Sequence, residues 1–226
     1  MPERLNVRPN LGRSNLERAR SQPAASGKAI PEDRILDAAA DAVLQVGLDR
    51  LTMADLAVRA GVARGTLYRR WENVRAVVAA LLTREWARVV AESVPQDLPT
   101  ARERLVTGAV RTIATIRAHP IHRAIVESDP ELLVPYVFQR LGRTPAHMLS
   151  TLEDGLRTGH EDGSVRVLDP VLQARTVLLL AWSFVVTAPV VVGSTTGAGP
   201  ELDALDAQLA TALDQYLSPD PEDGRT

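Results

Sequence analysis

Between Arg64 and Arg70 the chain sets three arginines, a glycine, a threonine and a tyrosine around one large aliphatic residue, Leu67. At about 100° per residue, Leu67 and Trp71 fall on one side of a short helix. Gly65, Thr66 and Arg69 point away from that side, with Tyr68 and Arg70 on its flanks. Such a surface suits nucleic acid. A residue without a side chain allows close approach, the hydroxyls of Thr66 and Tyr68 can bond phosphate, and Arg69 can reach a phosphate or a guanine edge. Just upstream, Leu51, Leu56, Ala57, Ala60 and Val62 supply an apolar face, and Gly61 marks a tight turn. The pair reads as a helix-turn-helix whose second helix, from about Ala63 to Trp71, is the reader. A plain helical hairpin with solvated arginines fits the same wheel.

The ordered residues add more. Arg34-Ile35-Leu36-Asp37-Ala38-Ala39, Gly47, Leu51-Thr52, Asp55-Leu56-Ala57, Ala60-Gly61-Val62, Gly65-Thr66-Leu67-Tyr68 and Trp71 follow in a pattern that resembles the TetR family of transcriptional regulators. The resemblance spans about Pro31 to Leu82. It implies a dimeric, all-helical, ligand-responsive repressor that sets its third helix in the major groove. The expected DNA-facing set is Thr52, Arg64, Gly65, Thr66, Tyr68, Arg69, Arg70 and Arg75. The chain departs from the family at Val74, where a lysine commonly touches phosphate; Arg75 or Arg70 is the expected substitute. Met53 and Ala54 also stand where other members often place polar contacts. Recognition is therefore expected to centre on the third helix.

Composition bounds the alternatives. The 226 residues include no cysteine, which excludes disulfides, thiolate metal sites and cysteine nucleophiles and fits a reducing cytosol. Net charge is −2, but it is unevenly spread. Residues 1–75 carry 13 Lys/Arg against 9 Asp/Glu, and the remainder carries 13 against 19. Positive charge thus accompanies the reader. Residues 1–29 hold prolines, glycines, serines and six Lys/Arg with few large apolar residues, so they read as a flexible basic tail. Arg13, Arg18, Arg20 and Lys28 there are either solvated or follow phosphates beside the main site.

The elements that must hold the reader follow in order. Pro31 opens a first helix that Gly47 ends, and Thr52 with Asp55 forms a capping box for the second. Asn73 caps a long fourth helix carried by Val74, Val77, Val78, Leu81, Leu82, Trp86, Val89 and Val90. Helices are expected over Thr100 to Ala118, Pro120 to Ser128, Thr144 to His160, and from Asp169-Pro170 onward. The run Val177–Val192 is strongly apolar, yet it is shorter than a span of about 20 residues and contains Pro189, so it reads as buried rather than membrane-crossing. A last amphipathic helix carries Leu202, Leu205, Leu209, Leu213, Tyr216 and Leu217. The expected fold class is all-α, with about nine helices. A helix-turn-helix domain over 30–75 precedes an effector-binding and dimerisation domain over 76–218, and 219–226 is a frayed tail. The resemblance places the homodimer interface on the last two helices.

Other chemistry finds little support. His119 and His122 lie three apart with Glu127 nearby, but a metal site needs three or four converging ligands. No G-x-S-x-G, P-loop or paired-carboxylate pattern occurs, so neither an enzyme nor a cofactor is expected. On the helices that the family uses to enclose its effector, the candidate ligand contacts are Trp86, His119, His122, Tyr136, Phe138, His147, Met148 and Trp182. An apolar effector is expected from the abundance of Val, Leu and Ala. The rival reading is a helical ligand-binding or interaction module that has lost specific DNA recognition, with Val74 as its sign.

Overall fold

The computed structural model describes residues 32–133 and 143–219, all of them helix or connection. The basic tail, the start at Pro31, the pocket candidates Tyr136 and Phe138, and the end of the chain from residue 220 lie outside the described residues. His147 lies on a described helix, but its side chain is not among those described.

Three short helices come first: α1 (Glu32–Val46), α2 (Met53–Ala60) and α3 (Arg64–Tyr68). Ile35, Leu36, Ala39, Leu56 and Leu67 close their shared core. Met53 is buried there too, so it serves packing and not the outer face. The third helix is shorter than its wheel suggests. Ala63 offers no capping side chain, and the N–H groups of Arg70 and Trp71 both return to the Leu67 carbonyl, turning the chain toward Asn73.

α4 (Val74–Ser93) starts at Asn73, whose side chain accepts from the Ala76 N–H at 2.9 Å. Its buried face begins with Val77, Val78, Leu81 and Leu82 under the first three helices and continues through Trp86 and Val89. Arg84 ties it sideways, reaching Asp37 of α1 at 2.8 Å and the buried Glu85 carboxylate at 2.8 Å. α5 (Ala101–Ala118) follows a full capping box at Thr100 and Glu103, and α6 (Pro120–Ser128) follows with proline in its first turn. A 3-10 turn spans Pro130–Leu133.

The remaining helices are α7 (Arg143–Glu161), α8 (Pro170–Val186), α9 (Ala188–Val191) and α10 (Pro200–Leu217). The apolar run from Val177 is not one helix. Pro189 has no N–H to continue the ladder, so α8 ends and α9 restarts with that proline in its first turn. Among the described residues no helix is long and apolar enough to cross a membrane.

One buried ion pair fixes α5 to α10. Arg117 is 2% exposed and meets Asp206 twice, Nη1 to Oδ1 at 2.9 Å and Nη2 to Oδ2 at 2.5 Å. Its Nη1 also reaches the Phe184 carbonyl of α8 at 3.3 Å. Removing one partner leaves an uncompensated buried charge, whereas replacing both by apolar groups does not. Asp206→Ala is therefore expected to cost about 3–5 kcal/mol in urea unfolding, and the double change Arg117→Met with Asp206→Leu much less.

Candidate nucleic-acid interface and ligand cavity

The reader surface is built on two anchors. Leu67 is fully buried and Trp71 nearly so, which fixes the roll of α3 and turns the other side of the helix outward. Arg64, Gly65, Arg69 and Arg70 are exposed, Thr66 is half-buried, and Tyr68 is 58% exposed. The Arg69 side chain has no hydrogen-bond or ion-pair partner among the described residues, and Arg70 makes one long contact of 3.8 Å to Glu32. Gly65 is informative by what surrounds it. A Cβ built there meets nothing within 4 Å, so no contact inside the described chain requires a glycine. In a helix it costs about 1 kcal/mol relative to alanine. A residue that internal packing does not need, on the outer face of the reader, fits the close approach of a second backbone.

Two expected DNA contacts are otherwise engaged. The Thr52 hydroxyl accepts from the Asp55 N–H at 3.1 Å and donates to the Asp55 carboxylate at 2.5 Å, and the Thr52 backbone N–H donates to that carboxylate at 3.2 Å, completing the α2 capping box. That hydroxyl bond holds the Asp55 carboxyl below its ordinary range. Arg75 reaches the buried Asp129 carboxylate at 2.6 Å, joining the first turn of α4 to the end of α6. The pairing crosses 54 positions of sequence, and nothing local signals it.

Further along α4 a cavity of about 190 Å³ opens among α4, α5, α7 and α8. Val90 and Val94 border it from α4 and its end, Met148 and Leu152 from α7, and Ala181, Trp182 and Val185 from α8. Of the expected ligand contacts, Met148 and Trp182 stand in its wall. Trp86, His119 and His122 do not; they form a separate cluster of buried Trp86 and His122 with half-buried His119, with ring centroids 5.3 Å (Trp86–His119) and 5.9 Å (Trp86–His122) apart, both edge-on. Burial, with His119 adding a smaller push, lowers the His122 imidazole to about 4. Among the described residues no three His, Asp or Glu side chains converge as metal ligands, and the oxygens of neighbouring Glu85 are taken by Arg84 and Arg88. Apart from Met148 and Trp182, the wall is largely Gly, Ala, Val and Leu rather than aromatics and histidines. The available signal was the stripe Ala101, Leu105, Gly108, Thr112, Ile116 along α5, at helical spacing and with small residues in its middle.

The family model for bacterial regulatory proteins of the tetR family matches residues 35–81. An HTH-type transcriptional regulator of Mycobacterium tuberculosis is 38% identical over 184 residues, covering 81% of this chain and 93% of its own. The chain belongs to the TetR family. It is thus a DNA-binding transcriptional regulator and not an enzyme. Two solved TetR-family structures share the fold. AlkX from Dietzia sp., implicated in biodegradation of n-alkanes, superposes with a TM-score of 0.61 at 20% identity over 82% of this chain and 94% of its own. The repressor QsdR of R. erythropolis does so with a TM-score of 0.60 at 19% identity, over 82% and 95%. Like its family, this TetR-type regulator is built to bind DNA and a small molecule and to work as a dimer.

Two measurements test the assignments of this site. Arg75→Ala is expected to lower folding stability by roughly 1–3 kcal/mol, because buried Asp129 loses its counter-charge at a half-exposed pair, and to leave the salt slope of DNA binding unchanged. A slope reduced by about one would return Arg75 to the phosphate contacts. For His122 the folded state prefers the neutral ring, so protons bind the unfolded chain more tightly. Its contribution is complete above the unfolded value near 6.5 and is lost as pH falls toward 4. His122→Phe should flatten that acid limb, which is worth on the order of 3 kcal/mol in urea titrations between pH 7 and 4.

Proposed function

We propose that this regulator is a repressor that binds a pseudo-palindromic operator as a homodimer and releases it when a small apolar effector enters the cavity. The observation that carries the reading is the outer face of α3: an Arg69 without a partner among the described residues, beside a glycine that no contact within them requires. Each subunit sets α3 in a major groove, and the two-fold axis of the dimer matches that of the operator. Arg69 and Thr66 take base edges or phosphate, while Tyr68, Arg64 and Arg70 take phosphate. Thr52 contacts the backbone only through what its cap leaves free.

Dimerisation through the last helices is supported by the apolar surface that α8 and α9 leave uncovered. Leu179 is 72% exposed, Val190 78% and Val191 73%, more than a lone chain ordinarily presents in one stretch. A partner that covers them together with α10 makes a four-helix interface. Release follows from α4. Its first turn adjoins the reader and its last turns border the cavity, about 30 Å away at 1.5 Å per residue. An effector needs only to favour the dimer geometry in which the two readers no longer match the groove spacing.

The test is selection of the full-length protein on random duplex DNA, followed by salt titration on the selected site. A specific reader gives a steep log–log slope and a strong preference for that site. Weak, sequence-blind binding would favour the rival, a ligand-binding module without operator recognition. Arg69→Ala is expected to cost about 1–3 kcal/mol of operator affinity, as for a bidentate base contact, and unchanged affinity removes Arg69 from the interface.

A further inference from the structure

The cavity has direction as well as volume. On α5 its wall runs from Ala101 in the first turn to Ile116 in the last, a stripe on the order of 20 Å long at 1.5 Å per residue. Contacts between the helices orient the neighbours against it. The end of α7 lies at the start of α5, because Gly155 packs on Leu105 and Gly159 on Ala101. The end of α8 lies at the end of α5, where the Phe184 carbonyl meets Arg117. One extremity of the cavity therefore holds Arg104 and Thr158, and the other holds Ile116, Met148 and Val185.

The two ends differ in chemistry. Among the described residues Arg104 is the one charged residue in the wall, and no carboxylate lines it. Its Nη1 donates to the Leu98 carbonyl at 2.7 Å, and its other donors have no hydrogen-bond or ion-pair partner among the described residues. Asp162, the acid nearest in effect, is itself engaged by the N–H groups of Ala101 at 2.8 Å and Ser164 at 2.9 Å. The other polar wall residues are Gln96 and threonines, none charged. Between the ends, a Cβ on Gly108 would meet Val94 at 3.0 Å and one on Gly155 would meet Leu105 at 2.8 Å, so the glycines draw the end of α4 and α7 close to α5 and narrow the cavity to a slot.

We propose that the effector is a straight-chain carboxylate, its head on Arg104 and its hydrocarbon tail laid along α5 toward Met148 and Val185. This rests on the reading of the cavity as the effector site. A guanidinium with unused donors at one end of an apolar slot favours a compact monoanion, through charge-assisted hydrogen bonds, over a neutral or cationic head. The slot favours an unbranched chain over a fused ring system of equal carbon count.

The experiment is calorimetric titration of the full-length protein with saturated carboxylates from octanoate to palmitate, each below its micelle threshold, alongside the alcohols of the same lengths. Affinity is expected to rise about fourfold per added methylene until the slot is full. At equal length the carboxylate is expected to exceed the alcohol by roughly tenfold or more. Arg104→Gln should erase that preference while leaving alcohol affinity in place, and Arg104→Lys should keep most of it. Thermal melting checks that both variants fold, and the wild-type comparison of heads stands without them. Equal affinity for the two heads, or a preference that survives in Arg104→Gln, overturns the carboxylate and leaves the cavity as effector site. A ring carboxylate binding better than any straight chain overturns the shape argument. Binding of neither series to folded protein overturns both this inference and the effector reading on which it rests.

Discussion

A single helix has two cores to satisfy. The early part of α4 contributes Val77, Val78, Leu81 and Leu82, all without solvent exposure, to the packing under the reader. Its later part borders the cavity through Val90, and Val94 follows at its end. The same helix therefore takes part in both the packing under the reader and the wall of the cavity. Arg84 and Arg75 reinforce this by charge. One holds α4 to α1 through Asp37, and the other holds its first turn to α6 through Asp129. The orientation of α3 depends on this frame, since Leu67 and Trp71 lock it to the same core that α4 closes.

Local physics made most of the fold legible in the sequence. Thr52 with Asp55, Asn73, Thr100 and Asp169 cap helices where their side chains can reach free N–H groups, and each does so in the structure. Gly61 adopts φ +65° at the turn between α2 and α3, a conformation that a side chain makes costly. The inward pair Leu67 and Trp71 was equally plain, because periodicity alone decides which face of a short helix is wet. The break after Val186 was less so, since an apolar run gives no periodicity to interrupt and only Pro189 marks it.

The ligand side was much less legible, for a physical reason. A cavity is defined by side chains that stop short, and small residues carry no chemical signature. Trp86, His119 and His122 stand out in the sequence as large polar-tipped rings, yet in the structure they pack edge-on against one another, away from the cavity wall. Arg104 looks like any helix-surface arginine until Leu98 and the fold of α7 are in place around it. Arg75, read from its neighbours as a phosphate contact, turns to Asp129, a partner that only the tertiary fold brings near.

The pairing of Arg117 with Asp206 bears on how a molecule of this kind yields under load. Aliphatic side chains slide past one another at small cost, whereas a two-pronged ionic fork away from water has a fixed geometry and is costly to break. That fork pins α5, the long wall of the cavity, to α10 in the terminal pair of helices, and through the Phe184 carbonyl it pins α8 as well. Two walls of the cavity, α5 and α8, are thereby joined to α10, whereas α4 meets the cavity through valines. Under the proposed release, the wall that yields to an effector is this valine-bordered one, to which the reader is attached.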